Sequence, residues 1–290
     1  LKFVLFVIDL LHGEKSGKKI GKMSSIVVKD AEETKSLVWF RNDLRINDNL
    51  ALNSALSAPG KVIGFYCFNL SMFKMTNLGF PRIDKFRAKF LLETIENLKE
   101  DLKRINITLI ITIGDPVEEL IRVISQQKIK NIFFQKEWTQ EEVEEEDKLK
   151  NEYNNINFKS FYSQFLYDPN DLDINNVSNV FTNFRKHCEK KLNVKDLVEY
   201  PKKLLEDNLL KDDYLTPSLS DLGLEDFEID SRSAFKFKGG YNAAKERLDF
   251  YLWQSKKINF YKQTRNGLIG QDYSSKFSSW LSNGSISARE

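Results

Sequence analysis

The chain has 290 residues and 33.9 kDa, room for about two domains at roughly 150 residues each. Hydrophobic residues make up 41% and charged residues 30%, and no run of ~18 apolar residues occurs, which argues against disordered, fibrous and membrane-spanning classes. Lys plus Arg number 44 against 42 Asp plus Glu, with only Cys67 and Cys188 and only His12 and His187, so a nucleic-acid coat protein, a disulfide scaffold, a zinc triad and a serine triad all lack their raw material.

The chain opens on Leu1, and Leu1 to Leu11 is mostly apolar. Basic residues do not precede that run and no small-residue cleavage site follows it, so residues 1–35 read as an uninformative extension, with Met23 a candidate start. Strands are predicted at Ser36–Phe40, Lys61–Phe68, Thr108–Ile113, Asn131–Gln135 and Asn157–Phe161. Between Arg82 and Ile105, the apolar residues Ile83, Phe86, Phe90, Leu91, Ile95, Leu98, Leu102 and Ile105 recur at helical spacing and gather on one face. Asp115 before Pro116 starts another helix, its carboxylate capping free amides. Thr139–Asn151 reads as a further helix whose Glu141–Asp147 acid run is a solvated face. This alternation predicts an α/β domain over residues 36–167, a doubly wound parallel sheet of five strands, with ligands beyond the strands' carboxyl ends. No dinucleotide or phosphate-loop glycine signature follows any of these strands.

After Asp168 the strand pattern stops, and Val177–Glu189 and Tyr241–Trp253 read as helices, so an all-α region is expected to follow the sheet. Asp196–Asp230 carries 3 basic and 11 acidic residues and reads as an acidic linker within a 168–240 connecting region. Ser231–Glu290 carries 11 basic and 4 acidic residues interleaved with Trp253, Phe260, Tyr261 and other aromatics. That mixture suits phosphates and stacked bases, and it equally suits a helical domain with aromatic core and solvated lysines. Within it, Asn266-Gly267 and Gly270 allow turns with positive φ, after which Ser274, Ser275 and Ser278 surround Lys276 at the start of a helix. Hydroxyls, free amides and a positive helix end suit a diphosphate. A capping serine with Phe277 and Trp280 as core explains the same residues.

Leu37–Leu52, LVWFRNDLRINDNLAL, closely resembles the opening strand and loop of the photolyase and cryptochrome family. In it, Asp43 between Arg41 and Arg45 reads as a charged structural clasp. Gly79-Phe80-Pro81 with Phe86–Leu91, Gly239-Gly240, and Tyr261–Ser278, YKQTRNGLIGQDYSSKFS, resemble the DASH branch of that family. The resemblance runs from about Ser36 to Glu290 and is weakest in the acidic segment. It implies that Tyr261, Ser274, Ser275, Lys276, Phe277 and Ser278 line the phosphates and ribityl chain of flavin adenine dinucleotide (FAD). It further implies a folate antenna, 5,10-methenyltetrahydrofolate, on the sheet domain, for which Glu137 and Glu141 of Gln135–Glu142 are the candidate carboxylates, although a solvated acidic helix accounts for both. Trp138 in that segment is expected to crowd such a pocket.

The implied activity is photochemical: reduced FAD, excited by blue light, passes an electron to a cyclobutane pyrimidine dimer in DNA, preferentially single-stranded, and the electron returns. No nucleophile, metal or proton relay is needed, which agrees with the scarcity of His and Cys. Residues 241–290 are then the start of a helical FAD-binding domain, incomplete here, and the chain is expected to be a monomeric, non-membrane fragment holding flavin weakly. Two alternatives stand beside repair: a blue-light photoreceptor that binds FAD and nucleic acid without repair, and a plain adenine-nucleotide or pterin module.

Overall fold

The computed structural model describes residues 34–173, 175 and 177–290. The readings of Leu1–Leu11 and Met23 lie outside those residues. Five strands, β1 (Lys35–Trp39), β2 (Lys61–Asn69), β3 (Leu109–Gly114), β4 (Ile129–Gln135) and β5 (Asn157–Phe161), pair in parallel in the order β3-β2-β1-β4-β5. Consecutive strands are joined by helices α1 (Leu50–Leu56), α2 (Lys85–Arg104), α3 (Pro116–Gln127) and α4 (Gln140–Glu152).

Side chains alternate across the sheet, so each strand feeds two cores. Val38, Val62, Tyr66 and Phe68 join Ile95, Leu98 and Leu102 of α2 on one face. Leu37, Trp39, Ile63 and Phe65 join Val117, Leu120, Val123 and Ile124 of α3 on the other. Full burial of one such side chain contributes about 1.5–3 kcal/mol, so a stripe of three or four fixes each helix against the sheet. Asp115 caps α3 through Oδ1, which accepts from the amides of Val117 and Glu118 at 2.9 and 3.1 Å. Helix α1 was not predicted: it is short, and it begins inside a polar motif where Asn49 accepts from the Leu52 amide at 2.9 Å. Because the connections leave β1 toward β2 on one side and β4 on the other, a crevice opens beyond the carboxyl ends of these strands.

The acidic stretch 196–230 lies as a strap along the sheet domain. Asn208 accepts from the Val62 amide at 2.9 Å and donates to the carbonyls of Val62 and Asn106 at 2.9 and 2.7 Å. Leu222 is buried in the first core.

Beyond β5 the regular elements among the described residues are helical: α5 (Phe181–Lys191), α6 (Tyr241–Asp249), α7 (Tyr261–Thr264) and α8 (Ser278–Ser282). The helix expected to run to Trp253 changes at Phe250 into a π turn over Phe250–Gln254, closed by Ser255 N donating to Phe250 O at 2.8 Å. Trp280 of α8 is fully buried among Phe90, Phe235 and Phe237, with Nε1 donating to Lys238 O at 3.0 Å. Cys67 and Cys188 are buried and unpaired. No helix among the described residues is long and apolar enough to cross a membrane.

Candidate functional site

Two polar regions flank α8, one at the strand ends and one in the loop before the helix. At the end of β1, Asp43 is fully buried, and its Oδ1 accepts from the Arg41 amide at 2.9 Å while Oδ2 accepts from Asn49 Nδ2 at 3.1 Å. Burial pushes this carboxyl up, and the Arg41 amide and the Arg45 charge pull against it. The predicted clasp of Asp43 between two arginines takes a different form. Arg41 turns away to Glu146 (2.8 Å) and Glu145 (3.3 Å) and lies over the Trp39 ring. Arg45 donates to the carbonyls of Gly284, Asp48 and Ser163 at 2.9, 3.0 and 3.1 Å. Asp48 in turn holds Arg289 with two bonds, at 2.6 and 3.0 Å. Gly284 sits at φ +72°, and a Cβ there would meet Asn42 O at 2.1 Å. The motif therefore bolts the late helical segment onto the sheet, with every buried charge given a partner apart from Arg45 Nε.

A cavity of about 400 Å³ lies at the carboxyl ends of β1 and β2, lined among others by Asn42, Tyr66, Asn69, Arg87 and Phe90, and closed by Asn283 after α8. Glu137 stands beside it, half-buried, its Oε1 accepting from Asn42 Nδ2 at 3.1 Å and Gln135 Nε2 at 2.9 Å. Desolvation pushes the Glu137 carboxyl up against the lowering effect of the Gln135 bond. Glu141 is exposed on the first turn of α4 and grips Arg82 bidentately at 2.5 and 2.7 Å, which holds its carboxyl below the usual range. The two glutamates thus have separate partners. Trp138 stacks on Tyr162, ring centroids 5.1 Å apart, and is absent from the cavity lining. The cavity residues Tyr66, Asn69 and Arg87 were missed in the sequence, where they look like strand and helix interior.

The second region is the loop between α7 and α8. Arg247 of α6 is buried and reaches into it: Nε donates to Ser275 O at 3.0 Å, Nη1 to Asp272 Oδ1 at 2.7 Å, and Nη2 to the carbonyls of Gln271 and Ser274 at 3.1 and 3.0 Å. Thr264 Oγ1 donates to Tyr273 O at 2.9 Å and closes the loop's base. Ser274, Ser275, Lys276 and Phe277 are half-buried, while Ser278 and Tyr261 are exposed. Ser274, Ser275 and Ser278 make no hydroxyl hydrogen bond to another described residue, and the amides of residues 274–278 donate to none. Lys276 adopts φ +65° and rests its ammonium 3.5 Å from the Tyr273 ring centroid.

Three local expectations change. Of Asn266, Gly267 and Gly270, only Gly270 has positive φ, the other left-handed residue of this loop being Lys276. No serine caps α8, whose N-cap is Phe277 with no side-chain bond. At five residues α8 carries little dipole, so any anion would be held by hydroxyls, amides and Lys276. Arg247 was missed because it lies 24 to 28 residues from its partners. A diphosphate fits what is there: unpartnered donors on the loop, and behind it the buried Tyr251 hydroxyl, also without a partner. Tyr251 meets Phe277 edge-on at 6.0 Å.

Residues 36–203 match the family model described as DNA photolyase. The cryptochrome DASH of Gloeobacter violaceus is 38% identical over 257 residues, 87% of this chain and 51% of the relative. That of Synechocystis sp. is 35% identical over 258 residues, 87% of this chain and 52% of the relative. The crystal structure of the Synechocystis sp. PCC6803 cryptochrome superposes with TM-score 0.82 at 34% identity, covering 88% of this chain and 54% of that one. A class III photolyase from Agrobacterium tumefaciens, 22% identical with TM-score 0.71, covering 91% of this chain and 53% of its own, shares the fold. The chain spans about half the length of these relatives. With its sheet topology, its bolted β1 motif and these matches, the chain belongs to the DNA photolyase family, on its cryptochrome DASH side.

Proposed function

We propose that this chain carries the antenna domain and the FAD diphosphate loop of a blue-light-dependent flavoprotein that repairs cyclobutane pyrimidine dimers, preferentially in single-stranded DNA. The observation that carries the reading is the Arg247-held loop, whose serine hydroxyls and consecutive amides are free to donate, in a chain related to cryptochromes DASH. Ser274, Ser275 and Ser278 would donate to phosphate oxygens, Lys276 would add a point charge on leaving the Tyr273 ring, and Tyr261 and Phe277 would flank the chain toward the ribityl. Bound and reduced, FAD supplies the light-driven electron that splits the dimer.

The protein's own work is positional. Arg45 and the Asp48–Arg289 pair fix the loop's helix against the sheet, and Trp280 keeps water out from behind it. Glu137, desolvated beside the 400 Å³ cavity, is the acceptor best placed for the amino and ring N–H groups of 5,10-methenyltetrahydrofolate. Glu141 joins only by giving up Arg82. Exposed Trp253 and Phe260, with Lys256, Lys257 and Lys262 nearby in sequence, offer stacking and charge for a DNA strand.

The test is photorepair. A dimer-containing single-stranded oligonucleotide is incubated with the FAD-loaded full-length protein that carries this chain, in blue light and in darkness, and restored thymines are counted. Restoration in light alone supports the enzyme. Retained flavin and DNA binding with no restoration supports the photoreceptor reading instead.

A further inference from the structure

We propose that Arg247 is the positioning residue of the anion loop, and that the loop requires the guanidinium's forked geometry rather than its charge. The proposal rests on the diphosphate reading of that loop and goes beyond it by naming what gives the loop its shape.

A loop that receives an anion must turn its carbonyl oxygens away from the ligand, because each carries partial negative charge. Here one side chain does that for three of them. Arg247 draws the carbonyls of Gln271, Ser274 and Ser275 inward with bonds of 3.0 to 3.1 Å, and the hydroxyls and amides of the same residues keep their donors unpartnered. The guanidinium lies 4.8, 5.5 and 5.1 Å from the ring centroids of Phe237, Phe250 and Tyr251, so packing as well as hydrogen bonding holds its plane. Its charge is met by Asp272 at 2.7 Å. A cation already paired at contact distance presents little net charge to a more distant anion, and what it contributes is orientation. Lysine has the same charge but three donors on a flexible point, which cannot serve four acceptors in one plane.

The full chain is titrated calorimetrically with inorganic pyrophosphate as parent, R247K and D272N, and amide exchange across residues 271–278 is followed in each, with thermal melting as the check on folding. R247K is expected to stay folded, bind pyrophosphate about tenfold more weakly and exchange faster in the loop. D272N keeps the three carbonyl bonds and removes a negative charge, so its affinity is expected to equal or exceed the parent's. A merely structural role for the Arg247–Asp272 pair would lower melting in both variants and leave affinity unmoved. Parent-like affinity in R247K overturns the proposal, as does a loss in D272N matching that in R247K. If the parent takes up no pyrophosphate while R247K still loosens the loop, the positioning role stands and the diphosphate reading falls. Should R247K fail to fold, amide exchange in D272N decides: parent-like protection across residues 271–278 with parent-like affinity supports the proposal, and faster exchange there or weaker binding overturns it.

Discussion

The end of β1 and the loop before α8 are both dense in polar groups, yet they handle them in opposite ways. At β1 the carboxylate of Asp43, the guanidinium of Arg45 apart from its Nε, and the Asp48–Arg289 pair are buried and matched to partners. In the loop the serine hydroxyls and five successive amides have none among the described residues. The most recognisable motif of the chain is therefore scaffolding, and the capacity to bind lies where donors are left over. Matched buried groups resist change, because removing a partner from one costs about 1–3 kcal/mol, whereas the half-buried and exposed donors of the loop are open to a ligand at little cost to the fold.

Arg45→Ala attacks the matched side hardest. It leaves the carbonyls of Gly284, Asp48 and Ser163 without their donor, and a loss of about 3 kcal/mol or more is expected in urea unfolding. A loss under about 1 kcal/mol would mean that water replaces the guanidinium and that the region is not closed. Gly284→Ala comes next, at about 1–3 kcal/mol, since its φ of +72° and the Asn42 carbonyl both oppose a Cβ. The double variant Ser274→Ala, Ser275→Ala probes the unmatched side: stability within about 0.5 kcal/mol of the parent, with pyrophosphate uptake reduced in the same titration. A large stability loss there would erase the contrast.

Smallest is a pH effect at Glu137. Burial raises its folded carboxyl above the ordinary 4.5, so the folded state binds the extra proton, and the group's contribution favours folding at low pH and fades as pH rises through the raised value. Glu137→Gln keeps an oxygen for Gln135 and Asn42 and removes the titration. Stability measured from pH 4 upward should lose that falling limb in the variant, and an unchanged profile would place the carboxyl in water.

Elements whose causes are local were readable. Asp115 before Pro116 marked α3, and the stripe ending at Leu102 and Ile105 marked α2, because capping and helical spacing act within a few residues. β5 was predicted over the same residues, Asn157–Phe161, that it occupies. Causes that span the chain were not readable. Nothing near Arg247 points to Ser275, nothing near Arg289 points to Asp48 241 residues away, and the π turn at Phe250 follows a helical pattern that gives no sign of stopping. Of the candidate site, the serines and Lys276 could be singled out by type, but the inward turn of their carbonyls comes from a side chain that only the fold brings near.

The tie between Asp48 and Arg289 has a consequence for how the molecule opens. It fastens the loop after β1 to Arg289, and Arg45 fastens the same loop to Gly284. Neither the sheet's central strand nor the small aromatic cluster around Trp280 can then loosen alone without stranding a buried charge. Amides of β1 and α8 are expected to exchange with solvent through one shared opening rather than two.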